Sequence, residues 1–261
     1  MRIVVCVKQV PDSDKVTIDR ETNRLNRTGV PSIINPFDEN ALEMALQLKA
    51  TYGGTVTVIS MGPPQAEEAL RSAIACGADD AVLLSDRKFG GADTWATSYT
   101  ISLAIKKLGD VDLVLFGKQA IDGDTAQVGP GVANFLDIPV VTYIKDCKFE
   151  NNAFTVEKVT EDGYEVWEVD APAAFTVVKE ANQLRLPSIR GKMAAKKAVI
   201  PVWGVEDLNA DLNLIGLSGS PTKVSKVFAP PVKTNKEIVA DKEPAEMAAM
   251  LISKLKERNV L

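Results

Sequence analysis

Short apolar runs alternate with helical patterns as far as Pro139, and this alternation constrains the fold more than any other feature. The first run, residues 3–7 (IVVCV), is almost continuously apolar, which is typical of a strand buried on both faces. Strands that alternate with helices are joined by right-handed crossovers into a parallel sheet. The sequence therefore predicts an α/β fold, an open parallel sheet with flanking helices, with the first strand near the sheet centre.

The predicted elements continue in the same order along the chain. The predicted strands are residues 3–7, 55–60, 81–84 and 112–116. The first predicted helix begins at a cap formed by Asn35 or Asp38 and ends at Gly53-Gly54. The other predicted helices cover residues 65–75, 94–108 and 125–136. Beyond Pro139 the pattern predicts an antiparallel extension of strands 140–149, 153–159, 164–169 and 173–178, with hairpin turns at Asn151-Asn152 and Asp162-Gly163.

The C-terminal part of the chain has weaker periodicity. Residues 182–231 are rich in basic, Gly, Ser and Pro residues and are predicted to be irregular. An isolated helix follows over 244–258, with its apolar positions at Met247, Met250, Leu251 and Leu255. We predict a domain over residues 1–190 and, over 191–261, an irregular basic segment with a helical arm that docks on another surface. A helix folded back on its own sheet fits the same pattern.

Composition excludes several classes of chemistry. The 261-residue chain contains no histidine, which excludes Ser-His-Asp and Cys-His catalysis and His-ligated zinc. Cys6, Cys76 and Cys147 occur singly, without C-x-x-C spacing, as expected of thiols in a reducing compartment. We therefore predict no catalytic side chain and no metal site, so any catalysis depends on a bound cofactor.

Charge and hydropathy also limit the partners. The formal net charge of −5 argues against a broad nucleic-acid surface, although one basic cluster comprises Arg185, Arg190, Lys192, Lys196 and Lys197. No apolar run approaches the roughly 20 residues of a membrane helix, and the first residues read as a strand rather than a leader. We expect no membrane insertion and a cytoplasmic location.

The loops after the predicted strands are the candidate ligand site, because open parallel sheets bind ligands beyond their carboxyl ends. No G-x-x-x-x-G-K-[ST] or G-x-G-x-x-G motif is present. The loop 116–124 contains two glycines, two acids and Gln119 before a helix, an arrangement suited to a nucleotide phosphate. An ordinary connection that caps its helix through Asp124 or Thr125 is the alternative. Likewise, Met61 and the Cys6-Val7 strand end either enclose an adenine or belong to the core.

Four segments carry a family resemblance. Residues 7–12 (VKQVPD), 35–38 (NPFD), 76–79 (CGAD) and above all 117–124 (GKQAIDGD) resemble the electron-transfer flavoprotein β subunit. The resemblance extends from Met1 to about Lys197 and more loosely through the arm. It implies an adenine-nucleotide α-hydrolase-like, Rossmann-related domain in a heterodimer with an α subunit.

The resemblance implies one of two roles for the bound nucleotide. Housekeeping members hold a structural AMP, and their redox FAD lies mainly on the α subunit. In electron-bifurcating members an FAD replaces AMP and accepts a hydride from NADH. One electron then goes to ferredoxin or flavodoxin, and the other passes through the α-subunit FAD to an acyl-CoA dehydrogenase. We predict the bifurcating type, so the chain is an enzyme only in that sense. The housekeeping type and a nucleotide-sensing stress-protein-like domain are the alternatives.

The resemblance also assigns site residues. The FAD or AMP site comprises Cys6, Val7, Lys8, Asn35, Met61, Asp122, Gly123, Asp124, Thr125, Gln127 and Val128. Mitochondrial members have Asp and Thr in place of Gly123 and Val128, and a glycine lets backbone approach a pyrophosphate. The segment 178–191 resembles the dehydrogenase-recognition loop of bifurcating members. Its predicted partner contacts are the anchors Leu184 and Leu186 and the charged rim Arg185 and Arg190. A solvated basic loop with buried leucines is the alternative.

Overall fold

The computed structural model describes residues 1–12, 17–18, 25–26, 32–225, 238–240 and 242–261. The strands are β1 (Arg2–Cys6), β2 (Gln9–Pro11), β3 (Thr17–Ile18), β4 (Leu25–Asn26), β5 (Ser32–Ile34), β6 (Thr55–Met61), β7 (Asp80–Leu84), β8 (Leu113–Gly117), β9 (Val140–Glu150), β10 (Ala153–Val159), β11 (Tyr164–Asp170), β12 (Ala173–Val177) and β13 (Val202–Trp203). The helices are α1 (Pro36–Tyr52), α2 (Glu67–Cys76), α3 (Thr94–Leu108), α4 (Val128–Leu136), α5 (Ile189–Lys197), α6 (Val205–Leu208) and α7 (Pro244–Glu257).

A single nine-stranded sheet organises the main body in the order β11-β10-β9-β12-β8-β1-β6-β7-β13. Strand β1 pairs in parallel with both β6 and β8, which confirms the predicted parallel sheet and the central place of the first strand. Along the chain, the sheet grows from β1 through β6 to β7 on one side and then resumes with β8 on the other. The order therefore reverses between β1 and β8.

Helices cover both faces of this sheet. Adjacent residues of β1 point to opposite sides, so Val5 packs in the core beneath α1 and α2, whereas Val4 packs in the core beneath α3 and α4. Val4 and Val5 are both fully buried, as expected for a strand between two helical layers.

The predicted antiparallel extension was partly wrong. Strand β12 pairs in parallel with β8 on one side and with β9 on the other. Both β12 and β9 therefore extend the parallel part of the sheet. Within the nine-stranded sheet, the antiparallel pairs among the described residues are β9 with β10 and β10 with β11. Asn151 and Asn152 adopt φ of 51° and 64°, which confirms the predicted hairpin turn between β9 and β10. Apolar patterning does not encode strand direction, because both arrangements bury the same side chains.

Part of the segment predicted to be irregular is ordered structure. It forms α5, β13 and α6, while its residues 226–231 lie outside the described residues. Helix α5 packs so closely on α2 that a Cβ on Gly191 would lie 2.1 Å from the carbonyl oxygen of Ala75. Strand β13 extends the sheet beside β7.

The main body of the structure therefore includes α5, β13 and α6. The first compact unit runs from Met1 to Ser225, past the boundary that we predicted at residue 190, and the second comprises Lys226–Leu261. In the second unit α7 matches the predicted helix, with Leu251 exposed and Met247, Met250 and Leu255 half-buried. In the described part of the chain, no helix combines the length and apolar character needed to cross a membrane.

Candidate functional site

The carboxyl ends of β1 and β8 lie side by side at the point where the strand order reverses. Cys6 is in register with Phe116, so the loops that leave these strands begin next to each other. Ligands of open α/β sheets bind at this kind of position. We call the space beyond these two strand ends the crevice.

A buried carboxylate joins the two strands at the crevice. Asp38, in the first turn of α1, accepts the backbone N–H of Lys8 at 2.7 Å and that of Gly117 at 3.2 Å. Burial raises the pKa of Asp38 from 3.8 to about 7, and the two backbone hydrogen bonds partly offset that rise. Asp38 was predicted as a helix cap, but its carboxylate instead satisfies N–H groups at the ends of β1 and β8.

Asn35 holds the loop that follows β8. Its side chain donates to the carbonyl oxygen of Gln119 at 2.8 Å and accepts the backbone N–H of Ile121 at 3.1 Å. Asn35 occupies the N-cap position of α1, as predicted, yet its side chain makes no cap hydrogen bond there. This fully buried amide therefore fixes the position of the candidate phosphate loop.

An ion pair spans the crevice above these buried contacts. The ammonium of Lys8 lies 2.8 Å from each carboxylate oxygen of Asp122. Both side chains are partly exposed, so water screens the pair and its net contribution to stability is small. Lys8 and Asp122 are thus brought together as the predicted site requires.

The end of the loop differs from the prediction. Helix α4 begins at Val128 rather than Thr125, because Asp124 and Ala126 adopt left-handed φ of 55° and 54°. Neither Asp124 nor Thr125 is the N-cap; that position is held by Gln127.

The first turn of α4 is therefore open at its N-terminal end. Among the described residues no side chain caps it, and the Gln127 side chain accepts a hydrogen bond from the Thr94 hydroxyl at 2.8 Å instead. Asp124 is held within the loop by a hydrogen bond from Gln119. The uncapped N–H groups at the start of α4 are suited to an anion.

Two glycines of the loop have opposite surroundings. A Cβ on Gly117 would lie 2.4 Å from Asp38 Oδ1 and 2.5 Å from the carbonyl carbon of Phe37, so α1 approaches the end of β8 as closely as backbone allows. A Cβ on Gly123 would have no heavy atom of the described residues within 4 Å. Gly117 is thus needed for packing, whereas Gly123 faces open space.

The remaining predicted nucleotide residues are buried or half-buried near the strand ends. Cys6, the last residue of β1, and Val7, which follows it, are buried in the cores on opposite faces of the sheet, and burial raises the pKa of the Cys6 thiol. Met61 is half-buried at the end of β6. Next to it, the buried hydroxyl of Ser60 has no hydrogen-bond partner among the described residues. Val128 is half-buried and packs on the core beneath α3 and α4.

The predicted partner residues have two different environments. Leu184 is half-buried against the core beneath α1 and α2, and the Arg185 guanidinium is paired with Glu43. Leu186 is 91% exposed, and Arg190 also faces solvent. Leu186 and Arg190 are accessible to a partner, whereas Leu184 and Arg185 hold the loop on the domain.

Two buried acids make contacts that the sequence analysis did not predict. Asp38 resembled an ordinary acid in a first helical turn, where such residues are common. The partner of Glu43, Arg185, is 142 residues away, so the sequence carried no signal of their contact.

The chain is similar to known proteins over its whole length. Residues 22–208 match the electron transfer flavoprotein domain. The chain is 52% identical over 262 residues to the caffeyl-CoA reductase-Etf complex subunit CarD of Acetobacterium woodii, covering 100% of both chains. It is 52% identical over 261 residues to the electron transfer flavoprotein subunit beta of Clostridium acetobutylicum, again over 100% of both. Protein FixA of Azotobacter vinelandii is 44% identical, over 98% of this chain and 94% of FixA. The chain therefore belongs to the electron transfer flavoprotein family, as a β subunit.

Proposed function

We propose that the crevice binds FAD and that the chain is the β subunit of an electron-bifurcating flavoprotein. The observation that supports this most is the uncapped first turn of α4 beside the open space at Gly123. A pyrophosphate presents two phosphates to the backbone, so it needs both the helix N–H groups and an unobstructed loop. AMP needs only the first of these.

The bound FAD would accept a hydride from NADH and supply the electrons that are divided between two acceptors. The residues of this chain contribute positioning and charge. Asn35 and Asp38 hold the loop and both strand ends at fixed positions, and the ion pair of Lys8 with Asp122 ties the loop to the end of β1. The unpartnered Ser60 hydroxyl, beside Met61, is available to a polar atom of the nucleotide.

An anaerobic titration with NADH tests this function. We expect NADH to reduce flavin in the purified heterodimer without any added dehydrogenase, because the proposed hydride acceptor lies in this subunit. A heterodimer whose flavin is reduced only by an acyl-CoA dehydrogenase and its substrate would indicate the housekeeping function, with AMP in the crevice.

Gly123→Asp should weaken nucleotide binding without destabilising the fold. The new side chain would enter open space, but its carboxylate would lie beside the proposed pyrophosphate. Two like charges about 4 Å apart near a surface repel by about 1–4 kcal/mol, so the nucleotide affinity should fall about tenfold or more.

Gly123→Ala is the matched control, since it adds a Cβ to the same space without adding charge. Equilibrium dialysis at increasing salt would separate the two variants. Equal affinities for the Asp and Ala variants would show that no phosphate lies at Gly123.

We also propose partners for this subunit. Electron transfer flavoprotein β subunits pair with an α subunit, and we propose that the arm containing α7 docks on it. CarD is named as a subunit of a caffeyl-CoA reductase-Etf complex, which supports a partner that oxidises or reduces CoA thioesters. We propose an acyl-CoA dehydrogenase as this partner, ferredoxin or flavodoxin as the low-potential acceptor, and the cytoplasm as the location.

Leu186→Ala should weaken docking of the acyl-CoA dehydrogenase. The exposed leucine would fill a pocket of the partner, and removal of such an anchor costs about 2 kcal/mol, or about 30-fold in apparent affinity. Steady-state kinetics at varied dehydrogenase concentration would measure this as a rise in KM, with the flavin content unchanged. Tyr164→Ala is a control, because it removes an exposed aromatic ring on β11, a strand that does not belong to the loop. Equal KM values for both variants would contradict a docking role for Leu186.

A further inference from the structure

The loop that carries Leu186 is attached to α1 by two side-chain contacts. We call residues 182–186 the strap. Asn40 donates to the carbonyl oxygen of Asn182 at 2.6 Å, and the Asn182 amide donates back to the carbonyl oxygen of Asn40 at 3.0 Å. One turn further along α1, Glu43 binds Arg185. Two consecutive turns of α1 thus hold both ends of a four-residue stretch.

The Glu43 contact is the stronger of the two. Glu43 Oε2 accepts the backbone N–H of Arg185 at 3.0 Å and its Nε at 2.9 Å, while Oε1 accepts Nη2 at 2.9 Å. The guanidinium is therefore bound in a two-pronged geometry, which is the strongest form of such a pair. Because the same carboxylate also holds the backbone, it fixes the position of the chain at Arg185 as well as its side chain.

The surroundings of Glu43 favour this arrangement. Its side chain is only 7% exposed, whereas that of Arg185 is 42% exposed. Burial alone would raise the pKa of Glu43, but the hydrogen bonds and charge of Arg185 outweigh it and hold the pKa below its ordinary value. A buried carboxylate without this partner would be costly, so the pair is expected to persist in solution.

The clamp determines which side chains the strap presents. Leu184 packs against the core beneath α1 and α2, and Arg185 is bound to Glu43. The next residue, Leu186, then extends into solvent. The thiol of Cys76, at the end of α2, lies 3.5 Å from the carbonyl oxygen of Arg185 and adds a weak contact on the other side.

We propose that Glu43 is a positioning residue for partner docking, which presents Leu186 by holding Arg185 and the strap backbone on α1. This inference rests on the proposed docking role of Leu186. It assigns Arg185 to the strap rather than to the charged rim of the partner contact. A strap that is already ordered spares the partner the entropy of ordering it, so Glu43 should affect KM for the dehydrogenase and leave kcat unchanged.

Glu43→Gln in the intact heterodimer tests the proposal. Glutamine keeps the size of the side chain but removes its charge and one acceptor. Glu39→Gln is the matched control, since it is the same change one turn earlier on α1, and among the described contacts Glu39 makes none with the strap. Glu43→Asp keeps the charge on a shorter side chain and should partly restore wild-type behaviour.

The first measurement is trypsin cleavage of the heterodimer, which needs no acyl-CoA dehydrogenase. We expect Glu43→Gln to accelerate cleavage after Arg185 about tenfold, because the freed guanidinium and backbone can enter the protease. Cleavage after Arg190, outside the strap and already exposed, should change little and is an internal control. Equal cleavage after Arg185 in the Glu43→Gln and Glu39→Gln proteins would overturn the proposal.

The second measurement is electron transfer to the acyl-CoA dehydrogenase. We expect KM for the dehydrogenase to rise about tenfold in Glu43→Gln at unchanged kcat and flavin content, and to rise less in Glu43→Asp. Faster cleavage with an unchanged KM would overturn the positioning role. If Leu186→Ala also left KM unchanged, the proposed docking site would fail as well, and the cleavage rates alone would then report whether Glu43 orders the strap.

Discussion

Gly117→Val is expected to destabilise the subunit by about 3 kcal/mol or more and to abolish nucleotide retention. The added Cβ would lie 2.4 Å from Asp38 Oδ1 and 2.6 Å from the Asp38 backbone nitrogen. Backbone at the start of α1 cannot move aside without breaking the hydrogen bonds of Asp38 to Lys8 and Gly117. The substitution would therefore disrupt both the packing of α1 against β8 and the crevice.

Thermal unfolding of the purified heterodimer at fixed concentration would measure the first effect. For a domain of this size, about 3 kcal/mol corresponds to a fall in Tm of about 6–12 °C. Gly123→Ala is the control in the same loop, and it should change the stability by less than about 1 kcal/mol. A Gly117→Val protein with wild-type Tm and full nucleotide content would contradict the close approach of α1 to β8.

Asp38→Ala is expected to have the second-largest effect, a loss of about 2–4 kcal/mol of stability. Its removal leaves the N–H groups of Lys8 and Gly117 without an acceptor. An unsatisfied buried donor costs about 1–3 kcal/mol, and the Lys8 N–H is less buried than that of Gly117. Asp38→Asn should cost less, because its carbonyl oxygen can still accept one of the two.

The pH dependence of stability tests whether the pKa of Asp38 is raised. Its raised folded-state pKa means that the folded chain binds a proton more tightly than the unfolded chain between about pH 4 and 7. The stability that Asp38 contributes is therefore fully present below about pH 4 and is lost as the pH rises to about 7. Asp38→Asn should not lose stability in this way. The variant should therefore become more stable relative to the wild type as the pH rises. A pH-independent difference would show that Asp38 titrates normally.

Local patterns were sufficient for most of the fold. The alternation of apolar runs with helices predicted the parallel sheet, its central strand and helix α3 at its observed bounds. The direction of β12 was not predictable, because a buried strand of five residues has the same apolar pattern in either orientation. The late start of α4 depends on left-handed backbone at Asp124 and Ala126, and neither residue type requires that conformation.

The candidate site was predictable only as far as its loops. The motif residues identified the strand ends and the segment 117–124, which meet at one edge of the sheet. The contacts that hold them depend on pairs distant in sequence, such as Lys8 with Asp122 and Glu43 with Arg185. Arg185 and Leu186 have adjacent positions in one basic loop, so composition could not show that one is bound and the other free.

The nucleotide content of the purified heterodimer shows whether the crevice holds FAD or AMP. Denaturation of the complex followed by chromatographic quantification of the released nucleotides gives the amount of FAD and AMP per heterodimer. The account predicts two FAD and no AMP, because the crevice of this subunit would hold the second flavin. One FAD and one AMP per heterodimer would contradict it and would assign the crevice to a structural nucleotide.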